Sequence, residues 1–238
     1  MASKKLKNLS PDAIWARWNE RMERVRRELH YVFLTRKKFR DVTWMFENNP
    51  TLKATGGSVY EWLFLMWARD IVIAIRRELD HDTNTVCLSR LLDEFVQRPQ
   101  VITRGRYTER VPRDNFMFEV LNGMFDGYGC QKPDPSDPTK DYLDQQGIAH
   151  DRKQLLTITK PVLAYANQLI AHRSETEKLP ITVGDINRAL DAVETTFLKY
   201  YAIVNGPAVT GLEPSMIGDW MEPFQIPWLT PKASPDEV

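Results

Sequence analysis

At 238 residues, with 42% hydrophobic and 27% charged, the chain has the composition of a globular protein that can bury a sizeable core in one large or two small domains. Thirty-two basic residues offset thirty-two acidic ones. This balance excludes a global field drawing nucleic acid or membrane to the chain and leaves any such contact to a local patch. Cys87 and Cys130 give neither a disulfide framework nor a metal-ligand spacing, and the four histidines have no pairing at three or four residues. No metal and no cofactor are expected. The basic residues 1–7 are followed by no apolar core, so they do not read as a signal peptide, and the run from Val59 to Ile75 contains Glu61, Arg69 and Asp70, which argues against a membrane span. The expectation is a cytoplasmic protein with no membrane partner.

Helical signals recur along most of the chain. Ser10 followed by Pro11 and Asp12 predicts a capped helix start, and Ile14, Trp18, Met22, Val25, Leu29 and Val32 then repeat at the spacing of an amphipathic helix. Its other face carries Arg17, Arg21, Arg24 and Arg27, which read as a solvated surface, and the helix is expected to end before Pro50. Gly56-Gly57 predicts a break, with Ser58 as the cap of a helix from about Val59 to Leu79. The first half of that helix is apolar on nearly every side, which suggests the centre of a bundle or an interface. A shorter helix is expected from about Val86 to Gln97.

From Pro99 to about His150 the periodicity dissolves. Between 98 and 113, Arg98, Arg104, Arg106, Arg110 and Arg113 occur with one acid, Glu109, and further on Pro133, Pro135 and Pro138 mark a loop; a short helix over Asn115 to Phe125 is the exception. This stretch reads as a long irregular insertion in one helical bundle spanning 1–205. Helix is expected to resume near Asp151, with Pro161 either kinking it or opening a fresh first turn. The last helix starts at Thr182 with Asp185 three residues on, carries a stripe of Ile186, Leu190, Val193, Phe197, Tyr200 and Val204, and stops at Gly206-Pro207. The tail 206–238 is too apolar for a free linker and is expected to pack on the bundle or on a partner. The fold class predicted is all-α.

Glycine loops that cradle nucleotides are absent, and no serine or cysteine has the setting of a nucleophile. What remains is arginine beside histidine: Arg24 to His30, Arg76 and Arg77 to His81, and His172 with Arg173. His172 and Arg173 close a helix whose apolar positions are Leu155, Val162, Ala166 and Leu169. A carboxyl-terminal helix end favours cations, and a proton-transfer group beside a fixed positive charge suits chemistry at a phosphate. Lys, Arg and His are also common there simply because they bind terminal carbonyls.

The segment Ala68-Arg69-Asp70-Ile71-Val72-Ile73-Ala74-Ile75-Arg76-Arg77, followed by Asp82 to Leu92, resembles the abortive-infection branch of the HEPN superfamily, as does Tyr165-Ala166-Asn167 running into Ala171-His172-Arg173. The resemblance covers roughly Arg40 to Tyr201. It implies an all-α, HEPN-like bundle, usually dimeric, that in many members is a metal-independent ribonuclease of phage defence or toxin–antitoxin modules. It also implies His172, Arg173 and Asn167 as the catalytic group, with Arg69, Arg76, Arg77 and His81 contacting RNA. Active members place an arginine four to six residues ahead of the motif histidine, where this chain has Ala166 and Asn167. Three functions therefore stand open: a ribonuclease, a catalytically silent module binding RNA or a partner such as an antitoxin, and an unrelated helical scaffold.

Overall fold

Ser10 Oγ accepts a hydrogen bond from Ala13 N at 3.2 Å, and with Pro11 at the first helical position it starts the helix α1, Pro11–Asn48. In the computed structural model, residues 8–80, 82, 85–129, 141–171, 181–215 and 218–225 are described, with backbone only for 169–171. Asn49 ends α1, and its side chain accepts from Thr51 N and Leu52 N to open α2, Pro50–Thr55. The next helix, α3 (Gly57–Glu78), begins at Gly56 rather than at Ser58 and has no side-chain cap. A Cβ on Gly56 would lie 2.6 Å from Leu52 O and 2.7 Å from the Phe46 ring, so close packing rather than capping selects the glycine.

The helices α4 (Leu88–Gln97), α5 (Arg104–Thr108) and α6 (Phe116–Gly127) follow. Then come the long helices α7 (Gln145–Ala171) and α8 (Val183–Asn205). The start of α7 precedes the expected Asp151 because Asp144 Oδ2 accepts from Gly147 N at 2.9 Å, and the helix continues through Pro161. Thr182 and Asp185 form the complete capping box of α8. Among the described residues the architecture is all-helical, with eight α-helices. No helix there is long and apolar enough to cross a membrane.

The apolar stripes explain the packing. α8 lies against α7, α1 and α3, and it buries Ile186, Leu190, Val193, Phe197 and Tyr200 completely. α1 packs on α3, and α7 packs on α3. α4 bridges α1 and α7 with Leu88, Leu91, Leu92 and Phe95 fully buried, and Phe95 meets Trp18 edge-on at 4.7 Å.

Two expectations from the sequence are corrected here. The stretch 99–150 carries α5, α6 and the start of α7, and it inserts Val101, Ile102, Tyr107, Phe125 and Ile148 into the common core. Its helices are too short to show a period. Three of its arginines are structural ties. Arg104 holds Asp141 at 2.8 Å and Asp126 at 2.6 Å, Arg106 pairs with Asp12, and Arg110 donates to Ile203 O and Val204 O at the end of α8. Of the two settings expected for the apolar first half of α3, the structure removes only the bundle centre. Trp67 stacks on Phe39 at 4.2 Å, while Val59, Trp62 and Met66 stay exposed, Trp62 at 58%. The described part of the tail lies on α1 and α8: Leu212 N donates to Glu194, Glu213 pairs with Arg40, and Trp220 Nε1 donates to Asp41 at 2.9 Å.

Gly206 ends α8 at φ +102°, a region that L side chains rarely adopt, and a Cβ there would stand 3.2 Å from Arg110 Nη1. Gly206→Ala therefore lowers stability by about 1–3 kcal/mol through backbone strain and displacement of the Arg110 cap. An unchanged urea midpoint would show that neither matters.

Candidate functional site

Of the residues singled out from sequence, His172, Arg173 and His81 lie outside the described residues. Asn167 is exposed on α7, and Arg69 and Arg76 are exposed on α3. Arg77 is also exposed, and it reaches across to α1, where it pairs with Glu28 at 2.8 Å. The structure thus brings one of the singled-out arginines onto another element.

Arg17, Arg21, Arg24 and Arg27 follow one another at three or four residues, so they form a row along α1. The carboxyl end of α3 supplies Arg77 and Glu78 opposite that row. Three hollows share these walls. The largest, about 610 Å³, is lined by Glu20, Arg21, Arg24, Arg27, Glu28 and Val86. A second of about 330 Å³ shares Arg27 and Glu28 with it and adds Tyr31, Val32, Ile73 and Arg77. A third of about 260 Å³ shares Arg24, Glu28 and Val86 with the first and Arg77 and Glu78 with the second. Together they form one trough along α1 from Glu20 to Tyr31, roughly 16 Å at the helical rise of 1.5 Å per residue.

Acids and bases are interleaved in the trough, with Glu20, Glu28, Asp70, Glu78 and Asp80 set among Arg21, Arg24, Arg27 and Arg77. Glu28 sits between Arg24 at 3.6 Å and Arg77 at 2.8 Å, and both arginine side chains remain mostly exposed, at 60% and 66%. Tyr31 is 61% exposed at one end, beside Val32 and Ile73. Exposed guanidiniums and an exposed ring suit a phosphate-bearing chain whose bases can stack.

Glu78 is 3% exposed, and its Oε2 accepts from Leu88 N at 3.1 Å, where α4 begins. Burial pushes its carboxyl up to about 7, outweighing that hydrogen bond. Glu78 thus joins the end of α3 to the start of α4 and carries a proton near neutrality at the trough wall.

Beneath the row, the fully buried Glu94 accepts from Trp18 Nε1 at 3.0 Å, from Arg21 at 2.9 Å and from Arg17 at 3.3 Å. Burial pulls the Arg21 guanidinium below its ordinary value, against the attraction of Glu94. The arginine row is visible in the sequence, but Glu94 is 77 residues from Arg17 and carries no local mark of the role. Tyr31 and Glu78 were missed for the same reason: only the crossing of α1 and α3 gives them a setting.

Another hollow, about 430 Å³, lies between α7 and α8. Its charges answer one another, since Lys199 pairs with Asp151 at 2.6 Å, Tyr200 donates to the same carboxylate, and Arg188 pairs with Asp185. The trough is therefore the stronger candidate. No family model, curated protein or solved structure matches the chain.

Proposed function

We propose that this protein acts on RNA, as an abortive-infection or toxin-like protein of the HEPN type, and that it is a metal-independent endoribonuclease. The trough between α1 and α3 carries the RNA part of this reading: three exposed arginines, Arg24, Arg27 and Arg77, and the exposed ring of Tyr31 are grouped on one face of a chain with no net charge. The nuclease part rests on the resemblance around His172. In it, His172 serves as general acid or base for attack of a ribose 2′-hydroxyl on phosphate, with Asn167 positioning and Arg173 stabilising the developing charge. Arg69, Arg76 and His81 extend the RNA contact of Arg77.

A second reading is favoured by one observation, the absence of an arginine ahead of His172. On that reading the protein binds RNA, or a partner such as an antitoxin, without cutting. A ribonuclease assay on single-stranded RNA in the presence of a chelator separates the two. Cleavage by the wild type that is lost in His172→Ala supports the nuclease; binding without cleavage in both proteins supports the silent RNA-binding module; neither binding nor cleavage removes both of these and leaves the partner-binding module alone.

The reading includes a homodimer. Val59, Trp62 and Met66 are exposed at the spacing of one helix stripe on α3, and aromatic residues concentrate in interfaces. Trp62→Glu is expected to convert a dimer to a monomer in sedimentation at micromolar concentration. A wild-type protein that is monomeric under those conditions removes the dimer.

A further inference from the structure

Glu94 stands at the centre of an arrangement that the RNA reading does not use. Three guanidiniums converge on one of its oxygens, Oε1: Arg21 at 2.9 Å, Arg17 at 3.3 Å and Arg90 at 3.7 Å. Among the described residues, no other carboxylate makes an ion pair with any of the three. The neighbouring acids are engaged or exposed elsewhere: Asp93 pairs with Arg152, Glu28 with Arg24 and Arg77, and Glu20 is exposed at the rim of the largest hollow. The cluster therefore holds two positive charges in excess of its carboxylate.

Burial makes that excess costly. The Arg90 side chain is 10% exposed, Arg21 22% and Arg17 24%. Arginine is almost never this buried without partners, and an unmatched charge in such a place is strongly unfavourable. Hydrogen-bond donors are left over as well. Arg90 Nη2 and Arg17 Nε are buried with no partner, although an unsatisfied donor of a charged group is among the more expensive groups to bury. The contact of Arg90 with Glu94, at 3.7 Å, is too long for a hydrogen bond. Arg21 connects the cluster to solvent, because it both binds Glu94 and lines the 610 Å³ hollow.

We infer that the Arg17–Arg21–Arg90 cluster is a binding site for a phosphomonoester dianion, entered through the hollow beside Arg21. The charge excess matches a group carrying nearly two negative charges at neutral pH, whereas a phosphodiester carries one. Its several acceptor oxygens suit forked guanidinium donors held in fixed positions. The hollow is within the range that takes a nucleotide-sized ligand. The site shares the 610 Å³ hollow of the trough as its entrance, but the cluster beneath it is separate from Arg24, Arg27, Arg77 and Tyr31, on which the RNA reading rests, and does not depend on that reading.

Titration calorimetry at fixed ionic strength in chloride, with inorganic phosphate and separately with adenosine monophosphate, tests this on the full chain. Saturable binding is expected, weakened about tenfold or more in Arg90→Met, equivalent to roughly 1.4 kcal/mol. Arg188→Met, whose partner Asp185 is on α8, serves as the unaffected control. Tighter binding of adenosine monophosphate assigns a nucleotide, and tighter binding of phosphate assigns the free anion; both support the site. Arg90→Met removes a buried charge and its folding is checked first. Glu94→Gln gives the opposite readout, since removal of the competing carboxylate is expected to tighten phosphate. No saturable binding in either the wild type or Glu94→Gln overturns the inference, as does equal affinity in the wild type and a folded Arg90→Met. Loss of RNA binding with phosphate binding intact would sink the RNA reading and leave this site standing.

Discussion

Glu94→Ala lowers the free energy of unfolding by about 3–5 kcal/mol, the range for removing one partner of a buried ionic cluster. The side chain is fully buried and is shared by α4 with three residues of α1: Trp18, Arg17 and Arg21. Its removal leaves the buried Trp18 N–H without an acceptor, and it leaves three guanidiniums facing one another with no carboxylate between them. Glu94→Gln retains an acceptor for Trp18 and is expected to lose less. Urea denaturation at constant slope measures the difference. A loss below about 1 kcal/mol for Glu94→Ala would mean that water already reaches the cluster and screens it.

Glu78→Gln should stabilise the protein, by up to roughly 3 kcal/mol above pH 7. The folded carboxyl titrates at about 7, above its ordinary 4.5, because burial disfavours the charged form. The native state therefore holds a proton that the unfolded chain has released. Below pH 4.5 both states are protonated and the wild type carries no penalty. Between 4.5 and 7 the penalty grows by about 1.4 kcal/mol per pH unit, and above 7 it is constant. Glutamine keeps an acceptor for Leu88 N, so the cap of α4 survives. Stability curves of the two proteins should converge near pH 4.5 and separate as pH rises. Parallel curves across that window would place the carboxylate in contact with water.

The parts of this fold that are legible in sequence are those fixed by neighbours along the chain. The Ser10 cap, the Thr182–Asp185 box and the stripe from Ile186 to Val204 are all present as expected, because capping and helical periodicity act over one or two turns. The arginines of 98–113 show the opposite case. They look like a basic patch, yet Arg106 is bound 94 residues away at Asp12 and Arg110 over 90 residues away at the end of α8. No local pattern distinguishes a free guanidinium from one that ties two elements together. The exposed stripe of α3 was likewise beyond reach: Phe64 and Trp67 take the place against Phe39, and a helix of this size offers only one face to α1. For the candidate site, the row Arg17 to Arg27 was visible but read as ordinary surface. It becomes a trough only because α3 brings Arg77 and Glu78 opposite it and α4 brings Glu94 and Arg90 beneath.

The central claim, that the α1–α3 trough binds RNA, is tested most directly by the salt dependence of affinity for an unstructured single-stranded RNA. Each phosphate contact contributes about 0.7 to the slope of log affinity against log salt for single strands. Arg24→Gln with Arg27→Gln is therefore expected to reduce the slope by about 1.4 and to weaken binding at low salt, while Arg188→Gln leaves both unchanged. Equal slopes and equal affinities in the wild type and the double variant would show that RNA does not enter the trough.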